Sequence, residues 1–283
     1  MQSLLDIIRK STEFLAGKGL ESPRLQSELL VGHALGLQRM QLYVQFERLL
    51  TEPELESIRP LLRRRGQGEP LQYITGWTDF HGLRLKVDRR ALIPRPETEL
   101  MIERIVERLA TLPARILDLG TGSGAIALAL AKQYPEAVVV AVDSSEAALE
   151  LARENAVQTG LADRVEFIRS DWFAAVPAGS RFDLVVSNPP YLSAEETAAT
   201  AIEVRNFEPV SALTSGGPDG AQDLERIIAA AKDHLLSGGW LVLETGISQH
   251  AGLLVRTREA GLAAAESLRD LTGRDRFVFA RAE

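Results

Sequence analysis

The run with the most specific chemistry in the sequence is Asn188-Pro189-Pro190-Tyr191. Its two prolines fix φ and delete two backbone donors, so the carbonyls of Asn188 and Pro189 are expected to face a substrate rather than a sheet ladder. Asn188 adds a side-chain carbonyl, and Tyr191 offers a flat aromatic wall for a planar group. Two acceptors suit an NH₂ on a planar carbon and would hold its nitrogen toward an electrophilic carbon, the geometry for methylating an amide or an aromatic amine. An amide nitrogen is a poor nucleophile. Orientation, and hydrogen bonds that favour the charge developing on N–H, would supply the acceleration, with no His or Cys base needed before transfer.

A second cluster is built for a ligand. Arg115 to Leu119 read as a buried strand that runs into Gly120-Thr121-Gly122-Ser123-Gly124 and a helix from near Ala125. Glycines at such a turn permit positive φ and close approach of a ligand, and the helix start presents unpaired N–H groups. Gly120-x-Gly122-x-x-Ala125 also fits the looser dinucleotide fingerprint, so the glycines alone leave open a nicotinamide cofactor, S-adenosylmethionine or a structural turn. Asp118, just before the loop, suits a positively charged methionyl amine or sulfonium better than a pyrophosphate. Asp143, ending the next strand, can accept both ribose hydroxyls; its plainer reading is an acid ahead of the helix that follows Ser144-Ser145. Asp171-Trp172 offers a carboxylate for an adenine amino group and an indole to cover the base, with a core tryptophan as the alternative.

These residues need a scaffold, and the patterning supplies one. Residues 94–283 alternate short apolar strands with helices: helix 97–110, strand 115–119, helix 124–133, strand 138–142, helix 146–158, strands 165–169 and 182–187, helix 222–236, strand 239–244, helix 249–260, then strands 263–268 and 276–281. The class is α/β, with a doubly wound parallel sheet. The stretch 192–221 reads as one long connection of functional character. Residues 76–93 read as a β-hairpin linker turning at His81-Gly82. Residues 1–75 read as a small helical bundle, with helices behind Ser3, behind an Ser22 N-cap with Pro23, and behind the capping box Thr51-Glu52-Pro53-Glu54, kinked at Pro60. Arg63-Arg64-Arg65 reads as the solvated end of that last helix.

Composition narrows the classes. The 283 residues are 45% hydrophobic and 25% charged, which excludes collagen-like, disordered and coiled-coil chains. No cysteine and four scattered histidines argue against disulfides, a thiol nucleophile and a metal site. No apolar run reaches membrane-span length and residues 1–10 lack a signal pattern, so no membrane partner and a cytoplasmic location are expected. A net charge of −7 argues against direct nucleic-acid binding. The asymmetry is mild: residues 1–90 hold 14 basic against 11 acidic side chains, a net of +3, which leaves −10 for the rest.

Taken together, Glu69-Pro70-Leu71-Gln72-Tyr73-Ile74-Thr75-Gly76, Ile93-Pro94-Arg95-Pro96-Glu97-Thr98-Glu99, Asp118 to Gly124, Ser187 to Tyr191, Glu208-Pro209 and Gly217-x-Asp219-Gly220 resemble the bacterial release factor glutamine methyltransferase family over essentially the whole chain. The resemblance implies a seven-stranded class I methyltransferase sheet and an N-terminal domain that helps grip a protein substrate. It implies transfer of a methyl group from S-adenosyl-L-methionine to the N5 amide nitrogen of the glutamine in the Gly-Gly-Gln tip of class 1 peptide chain release factors. Such protein methylation modulates translation termination and leaves S-adenosyl-L-homocysteine. By the same resemblance, Gly120, Thr121, Gly122, Ser123 and Gly124 hold the methionyl part, Asp143 the ribose, Trp172 the adenine, and Asn188, Pro189, Pro190 and Tyr191 the glutamine amide, with Asn188 touching both ligands. The Pro94 to Glu99 segment would lie over the cofactor pocket, with Arg95 and Glu97 as secondary site residues. Ser123 stands where many relatives carry Thr, which keeps the hydroxyl. A monomer is expected. Asn-Pro-Pro-Tyr is shared with adenine-N6 nucleic-acid methyltransferases, which stand as the alternative in the same reaction class; a non-catalytic cofactor-binding interaction protein and a nicotinamide oxidoreductase are those outside it.

Overall fold

The computed structural model describes residues 2–283, so Met1, the first residue of the expected helical bundle, lies outside the described residues. The chain forms two compact units. In the first, α1 (Leu4–Ala16) starts from a capping box in which the Ser3 hydroxyl accepts from the Asp6 N–H and the Asp6 carboxylate returns to the Ser3 N–H. Next, α2 (Pro23–Leu35) is started by Pro23 itself: Ser22, expected as its N-cap, sits at φ 47 and makes no side-chain cap bond. The fixed φ of a first-turn proline is enough to set the helix going. The short α3 (Arg39–Val44) leads to α4 (Glu52–Gly66), which opens on the Thr51/Glu54 capping box and stays helical through Pro60, and α5 (Leu71–Thr75) follows. Leu4, Ile8, Val31, Leu42, Leu50 and Ile58 form the core of this unit.

The arginine run is not a solvated end. Arg63 is exposed, but Arg64 forks onto Glu69 through two bonds of 2.8 Å, and Arg65 is 4% exposed, donating to the Glu69 carbonyl at 2.9 Å and to the Glu203 carboxylate at 2.7 Å. Successive helical residues are turned by about 100°, so three adjacent arginines cannot share one face.

The second unit begins with the hairpin of β1 (Trp77–Phe80) and β2 (Leu83–Lys86), which pair antiparallel. It is part of this unit and not a linker: Phe80, Leu83 and Leu85 are buried in the same core as Ile105, Ile116 and Leu128. Then come α6 (Pro96–Arg108), β3 (Arg115–Leu119), α7 (Ala125–Gln133), β4 (Val138–Asp143), α8 (Glu146–Gln158), β5 (Val165–Arg169) and β6 (Phe182–Ser187). The stretch 192–221, expected as one long connection of functional character, carries two short helices, α9 (Ala194–Ala199) behind a Ser193/Glu196 capping box and α10 (Ile202–Phe207). Residues Ala201–Phe207 group with the first unit. The chain closes with α11 (Gln222–Ala231), β7 (Leu235–Glu244), α12 (His250–Glu259), β8 (Leu262–Arg269) and β9 (Asp275–Ala282). The helix expected to reach 236 stops at Ala231, because β7 already starts at Leu235 after one 3-10 turn.

Seven strands form one sheet in the order β5-β4-β3-β6-β7-β9-β8; β9 runs antiparallel to β7 and β8, and the other pairs are parallel. Helices cover both faces, which is why the central strands read as unbroken apolar runs. Ile116, Leu184 and Val242 face α6 and α7, whereas Leu117, Val185 and Leu243 face Leu224, Ile227 and Ile228 of α11. Strand order reverses at β3, whose neighbours are β4 and β6, and ligands of open α/β sheets bind outside the carboxyl ends of strands at such a reversal. Leu119 lies opposite Ser187 in the β3–β6 ladder, so the glycine loop and the Asn-Pro-Pro-Tyr turn leave the sheet side by side.

Candidate active site

The loop after β3 is held from two sides. Gly120 and Thr121 donate their N–H groups to the Val142 carbonyl at 2.8 and 2.9 Å. Asp143, at the end of β4, accepts from the Gly122 N–H and the Ser145 N–H, each at 2.9 Å. Burial raises the Asp143 pKa, with the backbone N–H groups of Ser145 and Gly122 working against it. Each of its oxygens keeps a further lone pair for a ligand hydroxyl. Gly120 sits at φ 70, and a Cβ there would come within 3.2 Å of the Trp172 ring, so only glycine lets the indole lie against the loop. Trp172 itself adopts φ 50, and its Nε1 donates to Asp223 at 3.2 Å.

The turn after β6 opens on the same space. Gly120, Thr121, Gly122, Ser123, Asp143, Trp172, Asn188 and Pro190 all line one cavity of about 490 Å³, together with Pro94, Arg95 and Thr98 from the start of α6. Asn188 donates through Nδ2 to Thr98 Oγ1 at 3.1 Å, and Thr98 donates in turn to the Glu244 carboxylate at 2.7 Å. The other Glu244 oxygen accepts from the Tyr191 hydroxyl at 3.3 Å. Burial pushes the Glu244 pKa up to about 6, opposed by the Thr98 hydrogen bond and the Arg276 charge. Behind the turn, Gln249 Nε2 donates to the carbonyls of Tyr191 and Asp219 at 2.8 and 2.7 Å. Gly220 packs directly on the turn's exit, where a Cβ would meet Leu192, Ser193 and Tyr191 backbone atoms at 2.5 to 2.6 Å.

Residues 6–76 match a family model described as the PrmC N-terminal domain, and residues 96–218 match one described as the methyltransferase small domain. Over 251 residues the chain is 46% identical to the release factor glutamine methyltransferase of Chlorobaculum tepidum, covering 86% of this chain and 85% of that protein. Over 286 residues it is 38% identical to the release factor glutamine methyltransferase of Rhodopirellula baltica, covering 98% and 95%. The chain belongs to the release factor glutamine methyltransferase family. Solved structures agree on the fold: the Thermus thermophilus 16S rRNA N2 G1207 methyltransferase in complex with AdoMet and guanosine superposes with a TM-score of 0.51 at 23% identity, over 73% of this chain and 50% of that one. The N-terminal domain of human METTL16 in complex with SAH gives 0.51 at 18% identity, over 82% of each chain.

In this methyltransferase several expected site residues stand outside the cavity lining. Asp118 is fully buried beneath the loop, where it accepts from Thr121 Oγ1 at 2.6 Å and the Ala127 N–H at 3.2 Å. Burial pushes its pKa up to about 7, and its Oδ1 has no hydrogen-bond partner among the described residues. It braces the loop and the first turn of α7 from behind instead of facing a ligand. Gly124 is placed by packing: a Cβ there would lie 3.1 Å from that of Ala152, so its role is close contact with α8. Pro189 is buried, and Tyr191, expected as an open aromatic wall, packs against the core under α11 with its hydroxyl on Glu244. A buried acceptor at the end of the neighbouring strand draws it inward; burial and the Glu244 charge raise its pKa. Asp171 is engaged by Arg226 at 2.7 Å rather than presented alone to an adenine amine. Arg95 pairs with the buried Glu208 at 2.6 Å, and Glu208 also accepts the Ile93 N–H at 3.0 Å, which explains Glu208-Pro209 as the brace of the segment before α6. Glu97 lies outside the lining, 3.8 Å from Arg274. Thr98 and Glu244 are the functional candidates that residue-type reasoning did not single out. Thr98 sits inside a quoted motif, but nothing local marks Glu244, whose partner lies 146 residues away.

Proposed function

We propose that this protein transfers a methyl group from S-adenosyl-L-methionine to the side-chain amide nitrogen of the Gly-Gly-Gln glutamine in a class 1 peptide chain release factor. One observation carries the reading: Gly120 to Ser123 of the glycine loop line a single cavity with Asn188 and Pro190. The donor set suits the cofactor. Asp143 offers carboxylate lone pairs at the loop for a ribose diol, and Trp172, which lies against Gly120, gives the same cavity an aromatic face for a base. When bound there, S-adenosylmethionine supplies a methyl carbon activated by a positive sulfur.

The chain's own contribution is orientation. Asn188 lines the cavity with its Nδ2 spent on Thr98, which leaves its amide carbonyl as the acceptor for a substrate, and the turn that follows has no N–H at positions 189 and 190 to compete for it. A glutamine NH₂ gripped by such acceptors loses rotational freedom and has its N–H bonds polarised as positive charge develops on nitrogen. Acceptors of this kind favour the transition state over the neutral amide, which is what raises kcat. Purified protein incubated with methyl-labelled S-adenosylmethionine is expected to label a release factor and to leave its Gln→Ala variant unlabelled. Label that persists without that glutamine overturns the substrate.

A further inference from the structure

We propose that Thr98 is a positioning residue for methyl transfer, setting which end of the Asn188 amide faces the cavity. The inference rests on the reading of Asn188 as an acceptor for the glutamine NH₂. A threonine hydroxyl carries one proton and accepting lone pairs. Here the proton is committed to the Glu244 carboxylate at 2.7 Å, so the oxygen can only accept, and it accepts from Asn188 Nδ2 at 3.1 Å. Turning the Asn188 amide over would bring its carbonyl oxygen against the Thr98 oxygen with no proton between them. Proline at 189 restricts the Asn188 backbone to extended conformations, so the side-chain torsions are the freedom left to control. Thr98 and Glu244 are 4% and 1% exposed, and burial makes a misdirected polar group costly. Donation therefore runs one way from Asn188 through Thr98 to the Glu244 carboxylate, whose other oxygen accepts separately from the Tyr191 hydroxyl.

Packing alone does not account for Thr98. Valine has the same shape and would satisfy a core position in the first turn of α6, whereas the hydroxyl has meaning only through its two hydrogen bonds. Thr98→Val removes the acceptor for Asn188 and the donor to Glu244, while Thr98→Ser keeps both.

The full-length protein would be assayed for release factor methylation, with S-adenosylhomocysteine affinity by calorimetry and melting temperature as controls. Thr98→Val is expected to lower kcat by about 10- to 100-fold while KM for the release factor and cofactor affinity move by less than about 3-fold. Thr98→Ser is expected to stay within about 3-fold of wild type. In an Asn188→Ala background, Thr98→Val is expected to add less than about a 2-fold further loss, since a residue acting through Asn188 has nothing left to position. Unchanged kcat in Thr98→Val, equal impairment in Thr98→Ser, or a full additional loss in the Asn188→Ala background overturns the inference. Thr98→Ala substitutes for Thr98→Val if the latter fails to fold. Wild-type protein that labels no release factor contradicts the proposed function instead, so the two failures are told apart.

Discussion

Asn188 and Asp118 are both polar residues at the ends of adjacent strands, yet one lines the cavity and the other is sealed beneath it. The difference predicts different phenotypes. Asn188→Ala removes an acceptor that strengthens in the transition state, so kcat should fall by about 10²–10³-fold while S-adenosylhomocysteine affinity changes little, as calorimetry would show. Asp118→Asn should act on stability, with a defined pH dependence. Burial raises the folded pKa of Asp118 from 3.8 to about 7, so its favourable contribution is present below the ordinary carboxylate range and is lost as pH rises through about 7. Asparagine does not ionise; the stability of the variant relative to wild type should therefore improve from about pH 5 to about pH 8 in urea titrations. A pH-independent difference contradicts this. That Asp143 and Trp172 line the cleft follows from their places at the end of β4 and just after β5, although Asp143 also accepts the Ser145 N–H and Trp172 also packs on the core, in line with their plainer readings. The burial of Asp118 was not legible. It follows from its place on β3, flanked by β4 and β6, where Thr121 and the first-turn N–H of Ala127 in α7 take up the carboxylate.

At the scale of elements, the turn after β6 is rigid because its neighbours leave it no room. Gly220 is at φ 69 with backbone atoms of the turn's exit at 2.5 to 2.6 Å from a hypothetical Cβ, whereas Gly160, at φ 73, has nothing within 4 Å. Gly220→Ala should therefore displace the turn, lowering both melting temperature and activity. Gly160→Ala should cost only the backbone strain of about 1 kcal/mol and leave activity intact. Equal effects of the two substitutions would show that the close approach is not what matters. Strands β3, β5 and β6 and helix α8 have the bounds their residue patterns indicate: β3 ends before Gly120, β5 before Ser170 and β6 before Asn188-Pro189, and α8 is a run between Ser145 and Thr159. The helices α9 and α10 were missed because six-residue helices have too few turns for a periodicity, although the Ser193/Glu196 capping box was present in the sequence. The pairing of Asn188 with Thr98, 90 residues apart, depends on how α6 meets the sheet and has no local signature.

For the whole molecule, chain order and spatial grouping part company at Ala201–Phe207, which joins the unit formed by the first 76 residues. Arg65 is buried there against Glu203, whose side chain is 42% exposed. Glu203→Ala should leave a buried guanidinium short of a charged partner and weaken that unit by about 1–2 kcal/mol. Hydrogen exchange should then quicken among amides of residues 2–76 and not in the central strands of the sheet; the opposite pattern would contradict the grouping. The motif residues of the α/β half converge on the turn after β6, and what that turn grips decides the substrate. The decisive measurement is peptide-resolved mass spectrometry of a release factor after incubation with S-adenosylmethionine and this protein. A single added methyl on the side-chain nitrogen of the Gly-Gly-Gln glutamine, lost with Asn188→Ala, is the predicted result. A methyl found on any other group, or one that Asn188→Ala still installs at the wild-type rate, would contradict it.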